Sequence, residues 1–254
     1  MGREVQVTFP PQRIISLVPS QTEYLSSLAL ETETVGITKF CIHPERWFKH
    51  KTKVGGTKHF NFDIIKTLKP DLIIGNKEEN YQEGIVELEA SYPVWMSDIN
   101  SLADALRMMR DVGAITDRLP AALTITDRIN QAFQELNNPV SVRVLYLIWR
   151  NPWMAAGKDT FIDDMLKRCG FSNAIAQPRY PELSPEAIRE LNPDLVFLSS
   201  EPFPFSEKHV EELNTLLPDS RIALVDGEMF SWYGSRLLLA PDYFTNLLLQ
   251  LRMT

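Results

Sequence analysis

Two stretches of the chain, residues 61–74 (NFDIIKTLKPDLII) and residues 184–197 (SPEAIRELNPDLVF), are built on one pattern. Each opens on a small polar residue, Asn61 or Ser184, and carries an acid two positions later, Asp63 or Glu186. A short amphipathic stretch then runs into Pro-Asp-Leu and an apolar segment. Asn and Ser cap helix N-termini by accepting a backbone N–H, and an acid in the first turn faces the positive end of the helix dipole. Proline forces the residue before it out of the helical region. Each stretch therefore predicts a short helix, a tight turn and a strand. Turns of this kind recur in many α/β proteins, but the match reads as an internal repeat and supports two α/β lobes.

The surrounding pattern extends this unit in both directions. Residues 13–18 read as a strand and residues 21–30 as a helix, with Ser20 as N-cap and Glu23 at the capping-box position. Strands follow at 34–38, 71–75 and 93–96, with helices at 61–68, 78–90 and 101–112. Alternation of this kind predicts a mostly parallel sheet flanked by helices. Residues 117–136 break it. Leu119, Leu123, Ile125, Ile129, Ala132, Phe133 and Leu136 recur at helical spacing, which predicts one helix roughly 27–30 Å long. Pro120 sits near its start, where proline is tolerated, and Asn137-Asn138-Pro139 ends it. Alternation then resumes with strands at 143–149, 194–198 and 222–225 and helices at 160–168, 186–191, 207–216 and 237–251. The expected architecture is an α/β lobe over 1–116, a bridging helix over 117–138 and a second α/β lobe over 139–254.

Composition narrows the function class. The 254 residues include 26 Lys and Arg against 33 Asp and Glu, a net charge of −7, which argues against a nucleic-acid binder. Without a run of about 18 apolar residues, nothing is expected to span a membrane. Cys41 and Cys169 are too few for a zinc module and leave one disulfide open. The start, MGREV, lacks the apolar core of a secretory signal, so the reading is either a cytoplasmic protein or a mature chain whose leader has been removed.

The usual catalytic signatures (GxGxxG, GxxxxGK[ST], GxSxG, HExxH and the calcium loop) are missing, and no metal site is expected from four scattered histidines. His43 follows a predicted strand, where open α/β sheets bind ligands. It fits a ligand contact or an axial metal ligand, and equally a loop histidine bonded to backbone. Aromatics are more telling. Trp149 and Trp153 bracket one strand-end connection, Phe203 and Phe205 lie in the next, and Trp232-Tyr233 in the third. Large rings on loops suit a bulky, flat, partly apolar ligand, or else pack the lobes. Gly56 and Thr57 offer backbone N–H groups to an anion, or a plain turn.

The segments RIISLVPSQTE from Arg13, VGIT from Val35, KVGG from Lys53 and LKPDLII from Leu68 resemble the cobalamin-binding type of ABC-importer substrate-binding proteins. That type belongs to the helical-backbone class, which also serves ferric siderophores and haem. The resemblance continues through Gly157-Lys158, Cys169-Gly170, Ser184 to Glu186 and residues 226–236. It implies two α/β lobes joined by a rigid helix, a ligand cleft between them, and one acid per lobe docking onto permease arginines, here Asp63 and Glu186. Where cobalamin binders carry N-terminal tryptophans this chain has Thr57 and Asn76; Phe40 stands in as the aromatic, and Trp232 matches in the second lobe.

The resulting expectation is a non-enzymatic, monomeric carrier of a cobalamin-like corrinoid, with no catalytic cofactor, partnered by an importer's permease and ATPase in the periplasm or cell envelope. Its ligand contacts are Ser20, Gln21, Phe40, His43, Gly56, Thr57, Trp149, Trp153, Phe203, Trp232 and Tyr233. The alternatives are a haem or ferric-siderophore binder, and a cytoplasmic corrinoid-handling protein or enzyme using Asp226, Tyr233 and His43 as an acid/base set. Only Arg150, Arg179 and Arg236 are placed to meet an anionic siderophore complex, which leans toward a neutral or weakly charged ligand.

Overall fold

The structure, a computed structural model, describes residues 4–136 and 142–251. The chain divides into two compact units, and the expected α/β organisation with parallel sheets is present in both. Within the described residues the first unit runs to Ile99 and adds Ala103–Asn130 and Tyr233–Arg236; the second comprises Asn100–Leu102, Gln131 to Trp232 and the chain from Leu237.

In the first unit, strands β1 (Ile14–Ser16), β2 (Thr34–Ile37) and β3 (Thr52–Lys53) are followed by a two-stranded ribbon, β4 (Gly55–Gly56) with β5 (His59–Phe60), and by β6 (Leu72–Asn76) and β7 (Val94–Ser97). The main sheet has the order β3-β2-β1-β6-β7, every neighbouring pair parallel. Ile14, Ile15, Leu72, Ile73 and Ile74 are fully buried, as expected of strands covered on both faces. The helices are α1 (Pro19–Ser27), α2 (Glu45–His50), α3 (Phe62–Leu68), α4 (Gln82–Glu89) and α5 (Leu102–Ile115). Ser20 is not the N-cap of α1. Val18 holds that place and Pro19 opens the helix, its missing N–H costing nothing there, so Ser20 and Gln21 turn inward.

The long helix expected from residue 117, α6 (Leu119–Glu135), begins two residues later because Asp117 stands in the left-handed region at φ 58° and separates it from α5. It passes from the first unit into the second after Asn130. The expected stop at Asn137-Asn138-Pro139 lies outside the described residues.

The second unit holds β8 (Arg143–Trp149), β9 (Trp153–Ala155), β10 (Ser172–Asn173), β11 (Glu182–Leu183), β12 (Leu195–Ser199) and β13 (Arg221–Val225). Its sheet runs β11-β9-β8-β12-β13, with β10 added beside β8. The β8, β10, β12 and β13 pairings are parallel, while β9 folds back antiparallel on β8 and β11 on β9. Helices α7 (Phe161–Arg168), α8 (Pro185–Leu191), α9 (Glu207–Leu216), α10 (Gly227–Ser231) and α11 (Ala240–Gln250) cover it. No described helix is long and apolar enough to cross a membrane. Cys41 and Cys169 are free, buried thiols, and burial pushes both thiol pKa values up.

The repeat seen in the sequence is structural. Asn61 caps α3 by accepting from the Ile64 N–H (3.0 Å), and Ser184 caps α8 by accepting from the Ala187 N–H (3.1 Å). Both helices end on a left-handed residue, Lys69 at φ 46° and Asn192 at φ 40°. The aspartate of each Pro-Asp-Leu turn then clamps the first sheet strand of its unit. Asp71 accepts from the Arg13 N–H at 2.8 Å, and Asp194 accepts from the Arg143 N–H at 2.7 Å. The same arginines reach back to the helix ends, Arg13 Nε to Leu68 O (2.7 Å) and Arg143 Nη2 to Leu191 O (3.2 Å).

One buried charge in the second unit yields a stability prediction. The Asp163 carboxylate accepts from Lys167 Nζ (2.6 Å), Lys158 Nζ (3.4 Å) and Asn173 Nδ2 (3.0 Å). Burial raises its pKa, but the lysines and Asn173 outweigh that and hold it below the ordinary aspartate value. A depressed pKa contributes stability above the unfolded value that is lost as pH falls through the folded one. Asp163→Asn is therefore expected to cost about 1–2 kcal/mol at neutral pH. The deficit against wild type should shrink as pH falls below about 4, and urea melts across that range check it. A deficit that does not change with pH would mean the charge is not what stabilises.

Candidate functional site

In open α/β sheets, ligands bind beyond the carboxyl ends of the strands, where the strand order reverses. The first unit reverses between β1 and β6, the second between β8 and β12. The residues following these four strands, together with those after β2 and β13 and in the β4–β5 ribbon, are the candidate site.

At the first reversal, Ser20 and Gln21 are buried rather than presented, Gln21 being only 1% exposed. Gln21 Nε2 donates to Ser97 Oγ at 2.6 Å, and Ser97 Oγ donates in turn to Gly75 O at 3.1 Å. Asn76 Nδ2 also donates to Ser97 Oγ (3.1 Å). Asn80 Nδ2 ties the loop after β1 to the ribbon tip by donating to Leu17 O (3.3 Å) and Thr57 O (3.2 Å). These amides form a polar shelf that fixes the loops, with Gln21 among them. Phe40, after β2, is 51% exposed, with Lys39 Nζ 5.1 Å from its ring centroid. Its ring lies against Gly56, where a Cβ would come within 3.1 Å of Phe40 Cε2. Gly56 thus seats the phenyl ring. Thr57 and His43 are half-buried nearby in sequence. Among the described residues no cluster of three or more His, Cys, Asp or Glu side chains could hold a metal.

At the second reversal, Trp149 is 39% exposed and meets Phe203 edge to face, centroids 5.6 Å apart. Phe203 packs on Phe205 (4.8 Å), and both rings contact His209 at 5.3 Å. Trp153 is a core residue at 3% exposure. Because β9 doubles back on β8, its ring points into the core, stacked parallel to Phe205 with the Arg150 guanidinium 4.3 Å from its centroid. Trp232 closes α10, 6% exposed, and its Nε1 donates to Glu201 Oε1 at 2.8 Å. Tyr233 is buried beside it in sequence.

Charged candidates are occupied. Arg150 pairs with Glu212 (2.5 Å), Arg179 donates to Asn100 Oδ1 (2.9 Å) and Asp159 O (2.6 Å), and Arg236 grips both Glu23 oxygens (3.0 and 2.6 Å). Asp226, the acid of the acid/base reading, is the N-cap of α10, accepting from the Glu228 N–H at 3.0 Å. Asp63 and Glu186 are both exposed, each at the second position of its helix. The backbone N–H at Glu186 and the Ser184 hydroxyl bond its carboxylate and hold its pKa below the ordinary range. Glu201 was not legible as a site residue in the sequence, since its partners lie about thirty positions away.

Comparison with known proteins adds a family. Residues 14–217 match the family described as "Periplasmic binding protein". The vitamin B12-binding protein of Pectobacterium carotovorum is 24% identical over 243 residues, 91% of this chain and 86% of that protein. The periplasmic vitamin B12-binding protein of Vibrio cholerae superposes with a TM-score of 0.81 at 18% identity, covering 97% of this chain and all of that one. The periplasmic haem-binding protein of the same organism gives 0.78 at 22% identity, covering 93% and 98%. At such identities the two structures speak to fold alone.

Proposed function

Because the chain belongs to the periplasmic binding protein family, we propose that it is the substrate-binding protein of an ABC importer and takes a cobalamin-like corrinoid at its strand-end faces. The observation that carries the ligand class is Trp149, exposed where the second sheet reverses and met edge to face by the half-buried Phe203. A flat, largely apolar macrocycle is the kind of molecule such rings bury well. The engagement of Arg150, Arg179 and Arg236 supports a ligand without a large negative charge. On this reading the protein is a carrier without chemistry of its own, working in the periplasm or cell envelope and delivering to a permease and its ATPase through Asp63 and Glu186.

Titration with cobalamin, cobinamide and haem, followed by absorbance and calorimetry, tests the class directly. Corrinoid binding with haem excluded is the expected result; haem binding with corrinoids excluded would transfer the assignment to haem. Trp149→Ala is expected to weaken corrinoid binding roughly 5- to 30-fold, the loss of about 1–2 kcal/mol of aromatic contact. An unchanged dissociation constant with the circular dichroism spectrum intact would remove Trp149 from the site.

A further inference from the structure

Glu201, in the loop after β12, has a carboxyl group for which the ligand reading so far provides no role. Its Oε1 accepts from Trp232 Nε1 at 2.8 Å and from Ser231 Oγ at 2.6 Å. Its backbone is pinned as well: Ser199 Oγ donates to Glu201 O (2.6 Å) and accepts from the Glu201 N–H (3.3 Å). The start of α10 closes directly onto this loop, the Gly227 N–H donating to Ser200 Oγ at 2.9 Å. A Cβ at Gly227 would stand 2.3 Å from Ser199 Oγ and 2.7 Å from Glu201 Cγ, so this approach requires glycine. The loop and helix are thus fitted to each other around one carboxylate and one indole.

The electrostatics run against stability. Burial, followed by the like charges of Glu228 and Asp226 on α10 and at its cap, pushes the Glu201 carboxyl above the ordinary range despite its two hydrogen bonds. The hydroxyl of Tyr146, from β8, donates to Ser199 Oγ (3.2 Å), the group that holds the Glu201 backbone. A carboxylate placed among acids destabilises the fold relative to an apolar residue of similar volume. Its benefit is sought elsewhere, and the bond to Trp232 offers one. An indole at the end of a five-residue helix has freedom about two side-chain torsions; a charge-assisted hydrogen bond to its N–H fixes both plane and reach.

We propose that Glu201 is a positioning residue, whose carboxylate sets the Trp232 indole in the orientation that meets the ligand. This rests on the reading of the second unit's strand-end face as a ligand surface.

The test compares Glu201→Leu, Glu201→Gln, Trp232→Ala and the Glu201→Leu, Trp232→Ala double variant by cobalamin dissociation constant and melting temperature. Glu201→Leu is expected to bind about tenfold more weakly while melting no lower than wild type. Glu201→Gln should recover most of the affinity, because its amide oxygen still accepts the indole N–H. Once Trp232 is alanine, Glu201→Leu should have no further effect. Equal binding by wild type and Glu201→Leu overturns the proposal. So does a Gln variant as weak as Leu, which would make the charge itself a ligand contact, and so does additivity in the double variant. An unchanged dissociation constant in Trp232→Ala overturns it by removing Trp232 from the ligand. Failure of wild type to bind any of the three macrocycles defeats the underlying reading instead.

Discussion

With Asp63→Asn and Glu186→Gln combined, the protein is expected to hold its ligand as tightly as before and to lose all stimulation of its importer's ATPase. Both acids are exposed and occupy the same position in two copies of one capped helix. Each helix already has a side-chain cap, Asn61 or Ser184, so its N-terminus does not depend on the acid. An acid in the first turn contributes typically about 0.3–1 kcal/mol to its own helix. The other use of each charge, the one proposed above, is to meet an arginine across a docking surface. Asn and Gln keep shape and polarity while removing the charge, so stability and docking separate. ATPase rates in reconstituted importer, with ligand affinity measured in parallel, give the answer. If melting falls by several degrees while stimulation persists, the acids serve only their helices.

How far these features were legible depends on how local their causes are. The α3 and α8 units could be read because cap, helix, left-handed stop and Pro-Asp turn each follow from neighbours a few residues away. The clamp from Asp71 to Arg13 and from Asp194 to Arg143 uses the same residues, but its partners are brought together only by strand pairing, and no short-range pattern marks it. Ser20 was misplaced for a local reason: Pro19 fits the first helical position, which moves the cap to Val18 and rotates Ser20 and Gln21 inward. The burial of Trp153 has a topological cause. Spacing along the chain put it on an exposed connection, whereas the antiparallel return of β9 puts it in the core. Phe40, Trp149 and Phe203 could be singled out as candidates because large rings on strand-end loops are unusual enough to be visible in sequence. Glu201 could not be found that way, since a lone glutamate gains its meaning only from Trp232 and Ser231 across the fold.

Phe230→Ala is expected to lower stability by about 3–5 kcal/mol, the usual range for deleting a buried phenyl ring. The case rests on where the ring sits. Phe230 is fully buried, and its centroid lies 4.8 Å from Phe244 of α11, 5.2 Å from Tyr146 of β8 and 5.8 Å from Phe197 of β12. Tyr243 approaches it edge-on at 6.2 Å, and the same Tyr243 hydroxyl accepts the Asp226 N–H at 2.8 Å. One side chain therefore joins two central strands to the C-terminal helix. A helix as short as α10 has no stability of its own and is held by such packing. In a chain of this length a loss of that size corresponds to a melting temperature roughly 6–20 °C lower. Phe230→Leu, which fills most of the volume, should fall well short of that. Because Phe230 lies two residues before Trp232, the alanine variant should also loosen the indole's hold on Glu201 and weaken ligand binding beyond what lower stability explains. A melting temperature within two or three degrees of wild type would mean that the surrounding rings collapse into the space, and that α10 is anchored by its Asp226 cap and its seat on the Ser199 loop instead.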